Sequence, residues 1–375
     1  MGMNLLVIFF LGAALLYGLV LVVLADKWKT VHGPISSKKS PFPVTLLVPF
    51  RDEKPNLESL IESLGQLTYS QLEIILIDDH SSDGGRLLAE EVINKKEIRN
   101  CHVVLSPAQG KKGAIEFGVM LSTGNIILTT DADCQFPPDW VERMVQPFWD
   151  EKVQMVAGPV ISKSQGNMWD YFQQIEWASI LLVTQAFFKW KRPIMCSGAN
   201  LAYRKEAFQQ AGGYFGNHSV LSGDDAFLLY KINHYYGPKA ITYLPYRENL
   251  VVTSTATDWK GLVEQRARWA NKWNKHQKKS NFGTAIGMVG FALVFLFSLG
   301  LLVEKQFSAF VLFWGIKVGA EYWALGHVLN ELLIPTPWYS YIYASLLHPI
   351  YSVVVAGKAL TGKFSWKGRD NISNQ

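Results

Sequence analysis

The stretch ILTTDADCQF, residues 127–136, joins an apolar run to two aspartates one residue apart. Apolar and threonine residues in succession predict a buried strand, and Asp131 and Asp133 come where that strand ends. In an extended chain residues i and i+2 point the same way, so both carboxylates can converge on one hard cation whose shell water and phosphate oxygens complete. The competing interpretation is that Asp133 or a neighbouring residue caps a helix starting near Pro138.

Strand and helix patterns alternate around this stretch, between about residues 44 and 244. The expected strands are VTLLVP, EIILIDD, HVVL and NIILTTD, and the expected helices between them are NLESLIESLG, GRLLAEEVINK and GAIEFGVMLS. This alternation predicts an α/β fold with a mostly parallel sheet and helices on both faces. Ligands of such sheets bind at the carboxyl ends of the strands, where Asp78, Asp79, Asp131 and Asp133 gather.

The composition indicates a membrane portion. The chain has 375 residues, of which 49% are hydrophobic and 18% charged. Residues 5–24 carry no charge, and about 20 apolar residues suffice to cross a bilayer core. Basic residues come directly after this run and none precedes it, which argues against a cleaved signal peptide and places the globular part of the chain in the cytoplasm.

Apolar runs return after the globular part, at residues 282–303, 307–329 and 338–360. The first is expected to span the membrane. The second contains Lys317, Glu321 and His327, which are costly in lipid unless they face a protein interior, a cavity or an interface. Basic residues near the end favour a cytoplasmic C-terminus and an even number of crossings, so the middle run is interpreted as re-entrant or interfacial.

Cysteine usage and net charge exclude several classes of protein. Cys101, Cys134 and Cys196 are scattered, with no CxxC spacing, so neither a disulfide nor a zinc site is expected. The net charge of +5 is modest and partly explained by membrane flanks, and no nucleic-acid partner is expected.

Two further motifs place candidate residues beside the strand tips. IDDHSSDGG, residues 77–85, puts Asp79 where it could accept a hydrogen bond from the imide N–H of a uracil-like base, although these residue types also suit a simple turn. GKKGA, residues 110–114, puts Lys111 and Lys112 at a helix start, where cations oppose the helix dipole. A bound phosphate would offset that cost, and a solvated face is the alternative.

Of the last two motifs, the first carries two adjacent aspartates and the second is rich in basic residues. In LSGDDAFLLYK, Asp224 and Asp225 open a helical pattern; one of them could cap the helix and the other could serve as a general base. VEQRARWANKWNKHQKK interleaves basic residues with Trp269 and Trp273, which suits a helix at a membrane surface. Guanidinium groups also suit a diphosphate, and a tryptophan face suits a sugar ring.

Five motifs together resemble the membrane-bound branch of the family 2 glycosyltransferases, which contains cellulose, chitin, hyaluronan and poly-N-acetylglucosamine synthases and ceramide glucosyltransferase. The motifs are VPFRDE, IDDHSSDG, TTDADC, SGDDAFL and QRARW, in the family's order over about residues 44–273. The resemblance implies a GT-A fold, and inverting transfer from a nucleotide sugar, usually a UDP-sugar, with Mg²⁺ or Mn²⁺ as cofactor.

The resemblance also implies roles for residues of the globular part. Asp79 looks like the base-recognising aspartate, and Lys111 like the lysine near the nucleotide diphosphate. Asp131 and Asp133 look like the metal motif, with Asp133 as the expected direct ligand. The segment CSGANLAYRK, residues 196–205, resembles the family's acceptor-side strand and loop.

The resemblance also implies roles for Asp224, Asp225 and the QRARW motif. Asp225 is similar in place to the catalytic base, and Asp224 stands where the family more often has glutamate. Gln265 and Arg268 resemble the donor-diphosphate contacts, and Trp269 resembles the residue that stacks on the acceptor.

The motifs and the apolar runs divide the chain into six segments. They are an N-terminal transmembrane helix (1–26), a linker (27–43), a cytoplasmic GT-A catalytic domain (44–257), an interfacial helix with QRARW (258–280), two or three C-terminal membrane segments (281–361) and a polar tail (362–375). We expect an integral protein of the bacterial inner membrane. Its few membrane segments favour transfer of one or a few sugars to a lipid-linked or glycan acceptor.

Three alternatives stay open at the level of sequence. A processive polysaccharide synthase shares the motifs and would need a membrane partner or a homo-oligomer to complete a pore. A nucleotidyltransferase also uses acidic metal sites, but it would release pyrophosphate and would not need QRARW beside a membrane helix. A catalytically silent membrane scaffold of the same fold is the non-enzyme alternative, which the complete metal and base motifs argue against.

Overall fold

The computed structural model describes residues 5–28, 41–218, 222–276, 279–362, 365–366 and 369–370. The side chains of residues 271–285, and of those after 362, lie outside this description. The chain divides into two units. Unit 1 consists of Met1–Lys29, Ser164–Ala186 and Thr255–Gln375, and unit 2 consists of Thr30–Lys163 and Phe187–Ser254.

The helices and strands are numbered in chain order. The helices are α1 Leu5–Ala25, α2 Lys54–Gly65, α3 Gly85–Lys95, α4 Lys111–Leu121, α5 Trp140–Val145, α6 Met168–Lys189, α7 Lys205–Gln210, α8 Asp224–Tyr236, α9 Trp259–His276, α10 Lys279–Phe297, α11 Gly300–Val303, α12 Phe307–Glu331 and α13 Trp338–Thr361. The strands are β1 Val44–Phe50, β2 Leu72–Asp78, β3 Cys101–Leu105, β4 Ile126–Thr129, β5 Met155–Ala157, β6 Val160–Ser162, β7 Leu201–Arg204, β8 Ile241–Tyr243, β9 Val251–Thr253, β10 Ser365–Trp366 and β11 Arg369–Asp370.

Seven strands of unit 2 form one sheet in the order β3-β2-β1-β4-β7-β5-β8. β7 runs antiparallel to both of its neighbours, and the other neighbouring pairs are parallel. The prediction of an α/β fold with a mostly parallel sheet is confirmed. Phe50 of β1 lies opposite Asp78 of β2, and Leu47 of β1 lies opposite Thr129 of β4, so these strands end towards one edge.

Helix α4 packs closely on this sheet because Gly118 has no side chain. A Cβ at that position would lie 2.5 Å from Cδ1 of Ile77 in β2 and 2.9 Å from Cδ2 of Leu47 in β1. Both of those residues are fully buried. The first residues of α4 consequently come close to the carboxyl ends of the strands.

Unit 1 contains the membrane candidates. Among the described residues, two helical segments are long and apolar enough to cross a membrane, Leu5–Ala25 and Ile286–Val303. Only 22% of each apolar stretch is buried, whereas the core helix of a soluble protein would be mostly covered. The predicted N-terminal helix and the first C-terminal run both correspond to these segments.

Helix α12 contains the charged residues of the middle apolar run. It is one unbroken helix of 25 residues, so the re-entrant interpretation is wrong, and the interfacial one stays a prediction. Lys317, 1% exposed, donates to Oε1 of Glu321 at 2.6 Å and to the carbonyl of Ser345 in α13 at 3.0 Å. Tyr17 of α1 donates to the same Glu321 oxygen at 2.6 Å. Two of the costly charges therefore face a protein interior.

Candidate active site

The candidate site lies at the sheet edge where β1, β2 and β4 end. Asp79, the residue after β2, is 2% exposed, and its Oδ1 accepts a hydrogen bond from the backbone N–H of Gly110 at 2.8 Å. Gly110 directly precedes α4 and has a φ of 97°, which glycine adopts without strain. Asp79 thus fastens the start of α4 to the tip of β2.

Lys111, the first residue of α4, bridges two acidic motifs that are distant in sequence. Its Nζ lies 2.6 Å from Oδ1 of Asp131 and 3.2 Å from Oδ2 of Asp224. Burial lowers the pKa of Lys111, but the charges of Asp131, Asp224 and Asp225 outweigh burial and hold that pKa above its usual value. The cost of a cation at a helix start is therefore offset by carboxylates of the protein.

The backbone from Asp131 to Asp133 is not extended, so the predicted i, i+2 alignment is wrong. β4 ends before Asp131, and the N–H of Cys134 donates to the carbonyl of Asp131 at 3.2 Å, which closes a turn. The capping alternative for Asp133 is also wrong, because α5 begins at Trp140 and its N-cap residue is Asp139. A turn, rather than a strand, places the two carboxylates.

Asp133 carries a charge that its surroundings disfavour. Burial raises the pKa of Asp133, and the charges of Asp131 and Glu53 raise it further, to about 6. The hydroxyl of Thr253 donates to Oδ2 of Asp133 at 2.9 Å and acts in the opposite direction. The neighbouring groups of the protein therefore do not fully neutralise the negative charge around Asp133.

This donor set fits a divalent cation bound together with a substrate. In the part of the chain that the structure describes, no group of three or more His, Cys, Asp and Glu side chains could hold a metal ion alone. Mg²⁺ is usually held by one or two carboxylates plus water and substrate phosphates, and hard oxygen ligands also suit Mn²⁺. The uncompensated charge around Asp133 is the feature that a cation would neutralise.

Asp224 and Asp225 open α8, as predicted, and make different contacts. Gly223 is the N-cap residue, so neither aspartate caps the helix in the usual way. Oδ1 of Asp225 accepts the N–H of Ala226 at 2.6 Å, whereas Asp224, 9% exposed, is held by Lys111. Protonation of Asp224 would break its ion pair. Asp225 is partly exposed, whereas Asp224 is buried in that ion pair.

Lys112, beside Lys111, has a structural role. It is 6% exposed, and its Nζ donates to the carbonyls of Asn217 at 2.8 Å and Ser222 at 3.0 Å. The same ammonium lies 4.8 Å from the ring centroid of Phe227 in α8. The solvated-face interpretation is therefore wrong for Lys112, which holds the chain on either side of residues 219–221 to α4.

Residues 196–205 contain β7 and the loop before it, and this loop brings a glycine against the ion pair. The hydroxyl of Thr129 donates to the carbonyl of Gly198 at 2.7 Å. A Cβ on Gly198 would lie 2.7 Å from Oδ2 of Asp224 and 3.3 Å from Nζ of Lys111. Only glycine allows the loop to approach the two charges this closely.

The structure brings together six of the predicted site residues in unit 2 and leaves three in unit 1. The six are Asp79, Lys111, Asp131, Asp133, Asp224 and Asp225. Gln265, Arg268 and Trp269 lie on α9, so the helix predicted around QRARW is present. The side chain of Trp273 lies outside the described residues.

Three residues that shape the site were given no role from the sequence: Glu53, Gly198 and Thr253. Glu53 comes just after the tip of β1, so the rule that gathers ligands at strand ends could have found it. Gly198 lies within the motif CSGANLAYRK. The sequence does not show that this position requires glycine, because the requirement arises from the place of Asp224 in the fold. Thr253 is 120 residues from Asp133 and carries no local signal.

A mostly parallel sheet with a carboxylate-lined edge defines the class of the protein as a GT-A fold. One solved structure covers nearly the whole chain: the mannosyltransferase PcManGT from Pyrobaculum calidifontis, in complex with GDP-Man and Mn²⁺, has a TM-score of 0.58 at 18% identity, over 95% of this chain and 96% of that one. Residues 45–212 match the family model Glycosyl transferase family 2. This part of the chain is a glycosyltransferase family 2 domain.

Two curated relatives match this chain over 239 and 281 residues. Beta-monoglucosyldiacylglycerol synthase of Trichormus variabilis is 29% identical over 60% of this chain and 48% of the relative. Hyaluronan synthase of Streptococcus pyogenes is 26% identical over 69% of this chain and 64% of the relative. The chain thus spans about half to two thirds of the length of these relatives.

Proposed function

We propose that the protein is an inverting glycosyltransferase that moves a sugar from a nucleotide sugar, of the UDP type, to a lipid-linked or glycan acceptor. The observation that carries the proposal is the bridge from Lys111 to Asp131 and Asp224. It joins the candidate metal motif and the candidate base motif at the strand edge where α/β sheets bind ligands. The family 2 domain supports the same reaction class.

Residues of unit 2 suit the binding of a nucleotide diphosphate. Asp131 and Asp133 would hold Mg²⁺ or Mn²⁺, which supplies positive charge to a departing diphosphate when bound. PcManGT has been solved with Mn²⁺ and a nucleotide sugar, which supports this assignment. Asp79 is proposed to recognise the base. Its Oδ1 accepts the backbone N–H of Gly110, which places the carboxylate between the tip of β2 and the start of α4.

Asp225 is proposed to take the proton from the acceptor hydroxyl. The hydroxyl oxygen forms a bond to the anomeric carbon while the bond from that carbon to the diphosphate oxygen breaks. The electron pair of the broken bond leaves with the nucleoside diphosphate. Because the acceptor attacks from the face opposite the leaving group, the anomeric configuration inverts. Gln265, Arg268 and Trp269 keep the roles that their motif implies, as donor and acceptor contacts.

A membrane acceptor is favoured by the two candidate spans and by the relatives. One relative is named as a synthase of a glucosyl lipid and another as a synthase of a polysaccharide. We assign this chain to the bacterial inner membrane, with unit 2 in the cytoplasm, because the basic residues lie on the C-terminal side of α1. Cytoplasmic placement also gives the enzyme access to nucleotide sugars.

A donor screen in nanodiscs tests the proposal. Purified protein is given UDP- and GDP-sugars with extracted bacterial lipids, and the assays measure nucleoside diphosphate release and product mass. We expect one nucleotide sugar to give nucleoside diphosphate together with a glycosylated product of inverted anomeric configuration. Release of pyrophosphate would identify a nucleotidyltransferase. Absence of any turnover would favour the silent scaffold.

A further inference from the structure

Helix α9, which carries QRARW, is fixed within unit 1 by a buried ion pair. Nε of Arg266 donates to Oε1 of Glu176 at 2.9 Å, and its Nη2 donates to Oε2 at 2.7 Å. The two side chains are 5% and 7% exposed. Tyr351 of α13 donates to Oε1 of Glu176 at 2.6 Å. Three helices, α6, α9 and α13, therefore meet at one carboxylate.

Arg266 contacts two residues of the motif that are expected to bind substrate. Its Nη1 donates to Oε1 of Gln265. Its guanidinium carbon lies 4.2 Å from the ring centroid of Trp269 and 5.1 Å from that of Trp177 in α6. The rings of Trp177 and Trp269 also meet edge to face at 5.4 Å. Arg266 thus lies at the centre of a small cluster of polar and aromatic side chains.

We propose that Glu176 and Arg266 are positioning residues, which orient Gln265 and Trp269 for substrate binding. This inference rests on the proposed function, in which those two residues contact donor and acceptor. The guanidinium donates a hydrogen bond to the amide oxygen of Gln265. The N–H₂ group of the same amide would then be the part that donates to an anion such as a phosphate. It also lies over one face of the partly exposed Trp269 ring, so stacking on a sugar would use the opposite face.

Glu176 is needed because Arg266 is buried. A guanidinium at this depth that loses its counter-ion must move or recruit water. Gln265 and Trp269 would then lose their fixed orientation, although neither contacts Glu176 in the network described above. A substitution in α6 should consequently change substrate binding through α9.

The variants Glu176→Gln and Arg266→Met test this role against a matched control, Glu321→Gln. Glu321 is also a buried glutamate of unit 1 with a cation at 2.6 Å, and its partners Lys317, Tyr17 and Ser345 lie on α12, α1 and α13. Loss of a buried ion pair is therefore common to the control and the test. Only the test variants remove an interaction of α9.

The first measurement does not require activity. Full-length protein labelled with 5-fluorotryptophan is observed by ¹⁹F NMR, and the resonance of residue 269 is assigned with Trp269→Phe. We expect this resonance to shift or broaden in Glu176→Gln and Arg266→Met and to stay in place in Glu321→Gln. An unmoved resonance in both test variants would overturn the positioning role.

The second measurement is steady-state kinetics with the donor and acceptor found by the screen. We expect the acceptor KM to rise, and kcat/KM to fall, by about 10- to 100-fold in the test variants, since small misplacements of binding groups have effects of this size. Equal kinetic losses in Glu321→Gln would overturn the inference by showing a general effect of lost stability. If the wild-type protein transfers no sugar, the proposed function fails, and the ¹⁹F result alone decides the positioning role.

Discussion

Asp225 is the residue on which the proposed chemistry depends most directly. Asp225→Asn keeps the shape of the side chain and removes the proton acceptor, so turnover should fall by about two to four orders of magnitude. Donor affinity, measured by calorimetry, should stay near the wild-type value. Turnover within about threefold of wild type would place the base elsewhere, first at Asp224.

Asp133 should make cation binding depend on pH. Because its pKa is raised to about 6, a cation must displace a proton below that pH, and the apparent affinity for Mn²⁺ should fall by up to about tenfold per pH unit there. Above pH 6 the affinity should level off. Titration of the protein with Mn²⁺ from pH 5 to pH 8 measures this. Asp133→Asn should bind Mn²⁺ weakly at every pH, and an unchanged affinity would refute its role as a ligand.

The stability of the cation-free protein should change in the opposite direction. The folded pKa of Asp133 lies above the ordinary value of 3.8, so ionisation costs more in the folded state, and this residue lowers the free energy of unfolding as pH rises from about 4 to about 6. Added Mn²⁺ should restore that stability above pH 6. Thermal unfolding in excess chelator, with and without Asp133→Asn, isolates this contribution.

At the scale of elements, the sequence predicts segments whose pattern is local. The strands β1, β2 and β4 are mostly apolar runs, and α3 and α4 begin within two residues of their predicted starts. β7 is different, because its antiparallel place between β4 and β5 depends on pairing with residues 44 to 78 positions away. The turn after β4 is not apparent from the sequence either, since Asp and Ala residues fit both an extended strand and a turn.

The close contact between the loop that contains Gly198 and the start of α8 gives a prediction at the scale of elements. In Gly198→Ala, the new Cβ would displace the carboxylate of Asp224, so turnover should fall by about 10- to 100-fold while the fold is kept. Circular dichroism checks the fold, and nucleoside diphosphate release checks turnover. If the effect acts through Asp224, Gly198→Ala should add little to Asp224→Ala. Additive effects in this double-mutant cycle would show that the loop acts by another route.

At the scale of the whole molecule, we predict a short, lipid-attached product. The described residues contain two candidate spans, and QRARW lies on α9 shortly before the second of them. Mass spectrometry of products made by purified protein from UDP-sugars and bacterial lipids should show one or a few added hexose units. A long polymer made without a partner protein would make the processive synthase the leading interpretation.

The Lys317 and Glu321 pair has a consequence for the order in which unit 1 can assemble during synthesis. The two opposite charges lie one turn apart on α12, so each has one partner as soon as this helix forms. Their remaining partners come from α1, which precedes α12 in the chain, and from α13, which follows it. The pair therefore gains its full set of partners only after α13 has been synthesised, and a ribosome that stalled between α12 and α13 would leave it only partly shielded.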